Sequence, residues 1–121
     1  MARDEDAARE ERIVMEIVVD AHDSGERAMG WYYYLDDRLN VPFQARCRHA
    51  RPISPLKRGE KVQVTGMAPE EECEGEMFVW VERKGEEIAV PLAQLEPLSA
   101  DRGTQEAVGD WHYWVDCGYE F

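Results

Sequence analysis

Apolar positions along this chain recur with two periods, and the changes between them mark its elements. From Glu11 to Ala21, ERIVMEIVVDA sets Ile13, Ile17 and Ala21 on one helical stripe, with Val14 and Val18 beside it. The density of β-branched residues would suit a strand too; a helix is the expectation. The loop His22–Gly25 follows, with Asp23 or Ser24 as a candidate N-cap. Glu26–Leu39 then places Ala28, Trp31, Tyr32, Leu35 and Leu39 on one face of a second helix, and Asn40-Val41-Pro42 stops it. At Phe43 the period falls to two. Phe43, Ala45 and Cys47 alternate with Gln44, Arg46 and Arg48, and Lys61–Thr65 alternates again. Met77–Val81 (MFVWV) is apolar on both faces, as a central strand would be, and Arg83-Lys84-Gly85-Glu86 reads as a hairpin turn into Ile88–Val90. Pro91–Leu95 suits a short 3₁₀ turn, and Leu95–Leu98 a last strand. Beyond Asp101 helical spacing returns at Ala107, Val108, Trp111, Trp114 and Val115, with Gly118 suited to the position after the helix end.

This order predicts an α+β fold: a small SH3-like β-barrel of four or five short antiparallel strands, with helices before and after it. Residues 1–10 mix acids and bases without an apolar stripe and are expected to be a flexible or frayed N-terminus, with residues 11–121 forming a single domain. The run Trp31-Tyr32-Tyr33-Tyr34 and the group Trp111, Tyr113, Trp114 are expected to be buried between helices and sheet, and Cys47 to be a small core residue.

Charge changes the picture. The 121 residues carry 26 acidic and 14 basic side chains, a formal net charge of −12. Phosphate binding needs a basic face, so this balance disfavours a nucleic-acid binder, and it disfavours an anionic membrane surface equally. No apolar run approaches the ~18–20 residues of a membrane span, and the opening MARDEDAAREER has no secretion-signal pattern. Three well-separated cysteines, Cys47, Cys73 and Cys117, suggest neither a disulfide framework nor a zinc ribbon. A cytoplasmic protein with reduced thiols is expected.

One segment concentrates the acidity. Glu70-Glu71-Glu72-Cys73-Glu74-Gly75-Glu76 packs five glutamates into seven positions between two apolar strands. Neighbouring carboxylates repel one another and oppose compaction, so the loop calls for free exposure to water or for a bound cation. Ca²⁺, which takes six to eight oxygen ligands in flexible geometry, suits it better than Mg²⁺. In an extended stretch Glu70, Glu72, Glu74 and Glu76 would face one side. The plainer alternative is a solvated loop that binds nothing. Asp36 and Asp37 stand at the negative end of the second helix, where an acid costs roughly 0.3–1 kcal/mol; they mark either a cation or a tolerant exposed helix end. An EF-hand starting at Asp20 fails, with His22 at its third position and Trp31 at its twelfth. Ligands would therefore converge from separate segments. His112, Cys117 and Cys73 lack structural-zinc spacing, no nucleophile motif or phosphate loop is present, and nothing calls for an enzyme.

Several phrases together, MEIVVDA (15–21), AMGWYYYLDDRL (28–39), PFQARC (42–47), ISPL (53–56), GMAPEEECEGEMFVWV (66–81), AVPLAQLEPL (89–98) and DWHYWVDCGYEF (110–121), resemble the small acidic bacterial calcium-binding proteins of the CcbP type. The likeness spans roughly residues 11–121. It implies a cytoplasmic, non-EF-hand calcium-binding protein without enzymatic activity that buffers or senses Ca²⁺. It also implies that an acid in the segment matching Leu35-Asp36-Asp37 serves a calcium site, Asp37 being the nearer match and Asp36 the second. With the loop, the candidate ligands are Asp37, Asp36, Glu70, Glu71, Glu72, Glu74 and Glu76. The rival from another class is an acidic SH3-like protein-interaction module that receives a basic protein partner and no specific ion.

Overall fold

The computed structural model describes residues 2–121, with side chains from residue 6 onward. It is an α+β arrangement of three helices and one five-stranded antiparallel sheet. Helix α1 (Ala2–Arg12) runs without a break into a π-helical turn, Ile13–Ile17, which buries Ile13 and Ile17 as the helical stripe required. In the stretch expected to be a flexible or frayed N-terminus, residues 2–10 are helical and belong to α1; residue 1 and the side chains of 2–5 lie outside the described residues. Helix α2 (Ser24–Arg38) begins at Asp23, whose side chain accepts a hydrogen bond from the Glu26 N–H, and ends at Leu39. At Gly30 a Cβ would stand 2.3 Å from the Ile17 carbonyl oxygen. The absent side chain lets α2 cross directly over the π-helical turn.

The strands are β1 (Phe43–Cys47), β2 (Lys61–Met67), β3 (Phe78–Arg83), β4 (Glu86–Pro91) and β5 (Leu95–Ser99). Their order across the sheet is β4-β3-β2-β1-β5. Alternation in β1 buries Phe43, Ala45 and Cys47 and exposes Gln44 and Arg46, as the period-two pattern demands. β3 buries Val79 and Val81 and half-buries Phe78 and Trp80, so the central strand is apolar on both faces. The predicted hairpin closes through Lys84 and Gly85, both at positive φ, a turn whose twist matches the flanking strands.

The SH3-like barrel does not form. β4 and β5 lie at opposite edges of an open sheet, and no ladder joins them. The chain leaves β4 through a 3₁₀ turn, Leu92–Gln94, that is wholly buried, and β5 then pairs with β1 alone. Helix α3 (Arg102–Asp116) packs over that turn and over β5, so a helix covers the seam that a closing ladder would have sealed. α3 is capped by Asp101, which accepts from the Thr104 N–H. It ends with hydrogen bonds from Gly118 to Val115 and from Tyr119 to Trp114, a Schellman motif with Gly118 at C′.

The core lies between one face of the sheet and helices α2 and α3. Trp31 is its centre, edge-on to Tyr34 and to Trp111, whose centroid is 5.0 Å away. At its margin lies a wholly buried carboxylate, Asp110. Arg12 donates to both of its oxygens (2.8 and 2.7 Å), Arg9 Nε donates at 2.9 Å, and the Tyr34 hydroxyl at 2.6 Å. Burial and the bond to Asp110 raise the Tyr34 phenol well above its ordinary range, which keeps it a donor. Removing one member of a buried ionic group strands the others, at a cost of about 3–5 kcal/mol. Asp110→Asn is expected to lose stability on that scale in urea unfolding. Tyr34→Phe, which deletes one neutral donor, should lose only about 1 kcal/mol.

Candidate metal centre

The acidic end of α2 and the glutamate loop meet. Tyr32 and Asp36 are four residues apart, as are Tyr33 and Asp37, so each pair shares a stripe of the helix surface. Both tyrosines reach the loop. The Tyr32 hydroxyl donates to the Ala68 carbonyl oxygen at 2.8 Å, and the Tyr33 hydroxyl donates to Glu70 Oε1 at 3.0 Å. The same face of α2 that ends in two aspartates therefore rests on the segment that opens with three glutamates. Burial raises the Tyr32 phenol above its ordinary value, and charge at Cys73, Asp36, Glu70 and Glu71 pushes the same way. One phenol thus senses carboxylates from both segments.

The loop is not extended. Glu70–Cys73 forms a 3₁₀ turn, anchored by Ala68, Cys73 and Met77, all fully buried. Cys73 sits inward, accepting from the Phe78 N–H at 3.3 Å, and burial holds its thiol above the usual range. Once Cys73 is fixed inside, a turn of three residues per revolution points Glu71 and Glu72 away from it, while Glu70, three residues earlier, stacks on the side of Cys73, where the Tyr33 hydroxyl reaches it. The alternation expected to line Glu70, Glu72, Glu74 and Glu76 along one side is overturned by this geometry.

The candidate residues accordingly separate. Asp36, Asp37, Glu70 and Glu71 are exposed on adjoining surfaces, with Arg38 near Asp37 at 3.9 Å. Glu72 and Glu74 are exposed farther around the turn. Glu76 is committed elsewhere: its two oxygens accept from Arg51 at 2.8 and 2.9 Å, which makes it a strut between loops. Among the described residues no three His, Cys, Asp or Glu side chains stand close enough together to hold a metal ion. The zinc combination is likewise not assembled; burial and the nearby Arg48 push the His112 imidazole down to about 4, while Cys117 lies exposed. Tyr32, Tyr33 and the Ala68 carbonyl went unrecognised in the sequence as parts of this region, although their spacing from Asp36 and Asp37 was there to read. The donors present, carboxylates with a carbonyl and phenols behind them, are hard oxygens, the chemistry that Ca²⁺ takes.

Comparison with known proteins bears on the same point. The CcbP family profile, described as calcium binding, matches residues 11–115. The chain belongs to the CcbP calcium-binding family. The crystal structure of Anabaena CcbP superposes with a TM-score of 0.85 at 44% identity, covering 95% of this chain and 94% of that one. A structure described as a calcium-binding protein in the calcium-binding form superposes with a TM-score of 0.86 at 42% identity, covering 100% and 99%. No curated protein matches. Calcium is thus the ion of the family to which this chain belongs.

The Glu70 carboxylate raises the Tyr33 phenol through their hydrogen bond and through its charge. Glu70→Gln is expected to bring the Tyr33 titration down towards its ordinary value. Ultraviolet absorbance followed from neutral to alkaline pH, with Tyr33→Phe identifying the transition, measures it.

Proposed function

We propose that this chain is a cytoplasmic calcium buffer whose ligands come from the end of α2 and from the Glu70–Cys73 turn. Asp36, Asp37, Glu70 and Glu71 would hold the ion, with Glu72 and Glu74 at the rim and Glu76 excluded by Arg51. The observation that carries this reading is the pair of tyrosine contacts that bring the α2 stripe onto the loop. Because these carboxylates are exposed and no three are yet gathered, capture draws their side chains together by rotamer changes while the backbone stays in place. Bound Ca²⁺ supplies the positive charge that cancels their mutual repulsion. The net charge of −12 raises the local cation concentration around the whole surface.

A buffer fits better than a sensor because the ground beneath the site is closed. Ala68, Cys73 and Met77 are fully buried, and Tyr32 pins the loop, so the site overlies a packed floor rather than an apolar groove ready to open.

Binding to the native state alone stabilises it by RT ln(1 + [Ca]/Kd), about 2.7 kcal/mol at a hundredfold excess over Kd. Melting temperature should rise by several degrees in millimolar Ca²⁺ relative to chelator, beyond any change from Na⁺ at matched ionic strength. In calorimetric titrations Asp37→Asn and Glu70→Gln should each weaken binding about tenfold or more, whereas Glu76→Gln leaves it unchanged. Equal melting in Ca²⁺ and chelator would defeat the reading. A calcium-dependent rise in exposed apolar surface would replace buffer by sensor.

A further inference from the structure

The far end of the sheet carries the opposite charge. Six of the 14 basic residues lie between Arg46 and Lys61, against a single acid, Glu60. Arg51 leaves this group to bind Glu76, and Glu60 is taken by Arg83 at 2.6 Å. On the solvent face Arg46 of β1 stands directly opposite Lys61 of β2, a like-charge pair that costs stability unless something negative lies nearby. Glu96 of β5, on the other side of Arg46, neutralises one of the two. Beside this row is a groove of about 430 Å³ lined by Arg46, Cys47, Arg48, Arg58, Gly59 and Glu96, the last paired with Arg46. Arg48 is held in place through its Nε, which donates to the Ala93 carbonyl at 2.7 Å. Arg58 makes no hydrogen bond or ion pair among the described residues, although it is fully able to form both.

We propose that this groove binds the phosphate group of a small phosphorylated molecule. Three arginines line it: Arg46 is paired with Glu96 and Arg48 lies 3.5 Å from Asp116, which leaves the guanidinium of Arg58 for an incoming anion. The planar fork of arginine matches the geometry of a tetrahedral oxyanion. Its volume lies within the usual span of small-ligand sites, about 300–1,000 Å³. A doubly charged anion would give Arg58 the partner it lacks. In a chain of net charge −12 the overall field opposes an anion, so binding at this end has to come from local contacts. The site lies at the end of β2 away from the calcium region and does not depend on that assignment.

The test is titration of the metal-free full chain with sodium pyrophosphate, followed by calorimetry and by amide chemical shifts, with NaCl at matched ionic strength as the reference. Saturable shifts confined to Cys47, Gly59 and their neighbours are expected. Arg58→Ala should weaken binding about tenfold and Arg58→Lys by less, since charge remains while the fork is lost. Arg102→Ala, on a different surface, should leave it unchanged, and Arg58→Ala should leave the calcium titration unchanged. Absence of saturation up to about 10 mM, shifts equal to those in NaCl, or unchanged binding in Arg58→Ala would each overturn the proposal. Loss of binding in Arg102→Ala as well would overturn it in favour of diffuse attraction.

Discussion

Asp110 holds the two ends of the chain in one frame. It lies in α3, takes Arg9 and Arg12 from α1, and takes the Tyr34 hydroxyl from α2, so one buried carboxylate touches all three helices. Its contacts span up to 101 positions of sequence. Hydrophobic burial alone would tolerate small rotations of α2 against α3, because Trp31 presents apolar surface over a broad arc. A charge with four fixed donors tolerates far less: any rotation that withdraws one donor leaves desolvated charge uncompensated. Such a group adds little net stability over a well-packed apolar alternative, but it selects one register of the helices.

That register matters at the opposite face of α2. With Tyr34 turned inward to Asp110, Tyr32 and Tyr33 must turn towards the glutamate loop, since successive residues are about 100° apart around the axis. Asp36 and Asp37 follow one turn later on the same stripes. The buried hub therefore orients, through a single helix, the surface that faces Ala68 and Glu70. The loop's own position comes from a separate device, the inward anchors Ala68, Cys73 and Met77. Carboxylates that repel one another are held near each other because apolar burial beneath them is worth more than the exposed repulsion costs, water screening the charges and leaving the side chains free to spread.

Much of this was legible in the order of residues. The alternation of Phe43, Ala45 and Cys47, the Lys84-Gly85 turn and the helix end at Gly118 are local signals with local causes, and each is where the pattern put it. Of the two cap candidates Asp23 and Ser24, Asp23 is the cap, while the cap at Asp101 went unread. Barrel closure was misread because it is a non-local property. The same order of strands and 3₁₀ turn allows either a β4–β5 ladder or an intervening helix, and the decision rests on α3 packing over Leu92–Gln94. The glutamate alternation was misread for a related reason. Period two presumes extended backbone, yet burial of Cys73 draws the loop into a 3₁₀ turn and changes the period to three. Glu76 looked identical to its neighbours in sequence, and only the distant Arg51 sets it apart.

Charge is distributed along the sheet as well as concentrated in a loop. β2 begins at Lys61 beside Arg46 and ends at Met67, a residue before the buried Ala68 that anchors the glutamates. Seven residues at about 3.3 Å each place the two ends roughly 20 Å apart, beyond two Debye lengths at physiological salt. Each end therefore keeps its own electrostatic character, and neither neutralises the other. A fold that folded its arginines back onto its glutamates would gain surface ion pairs worth little and would lose the capacity to attract ions. Arg51 and Glu76 show what such pairing does: both charges are consumed in fixing one loop to another. At the α2 end, by contrast, Asp36 and Glu71 enter no ion pair among the described residues, and Asp37 meets only its neighbour Arg38 at 3.9 Å.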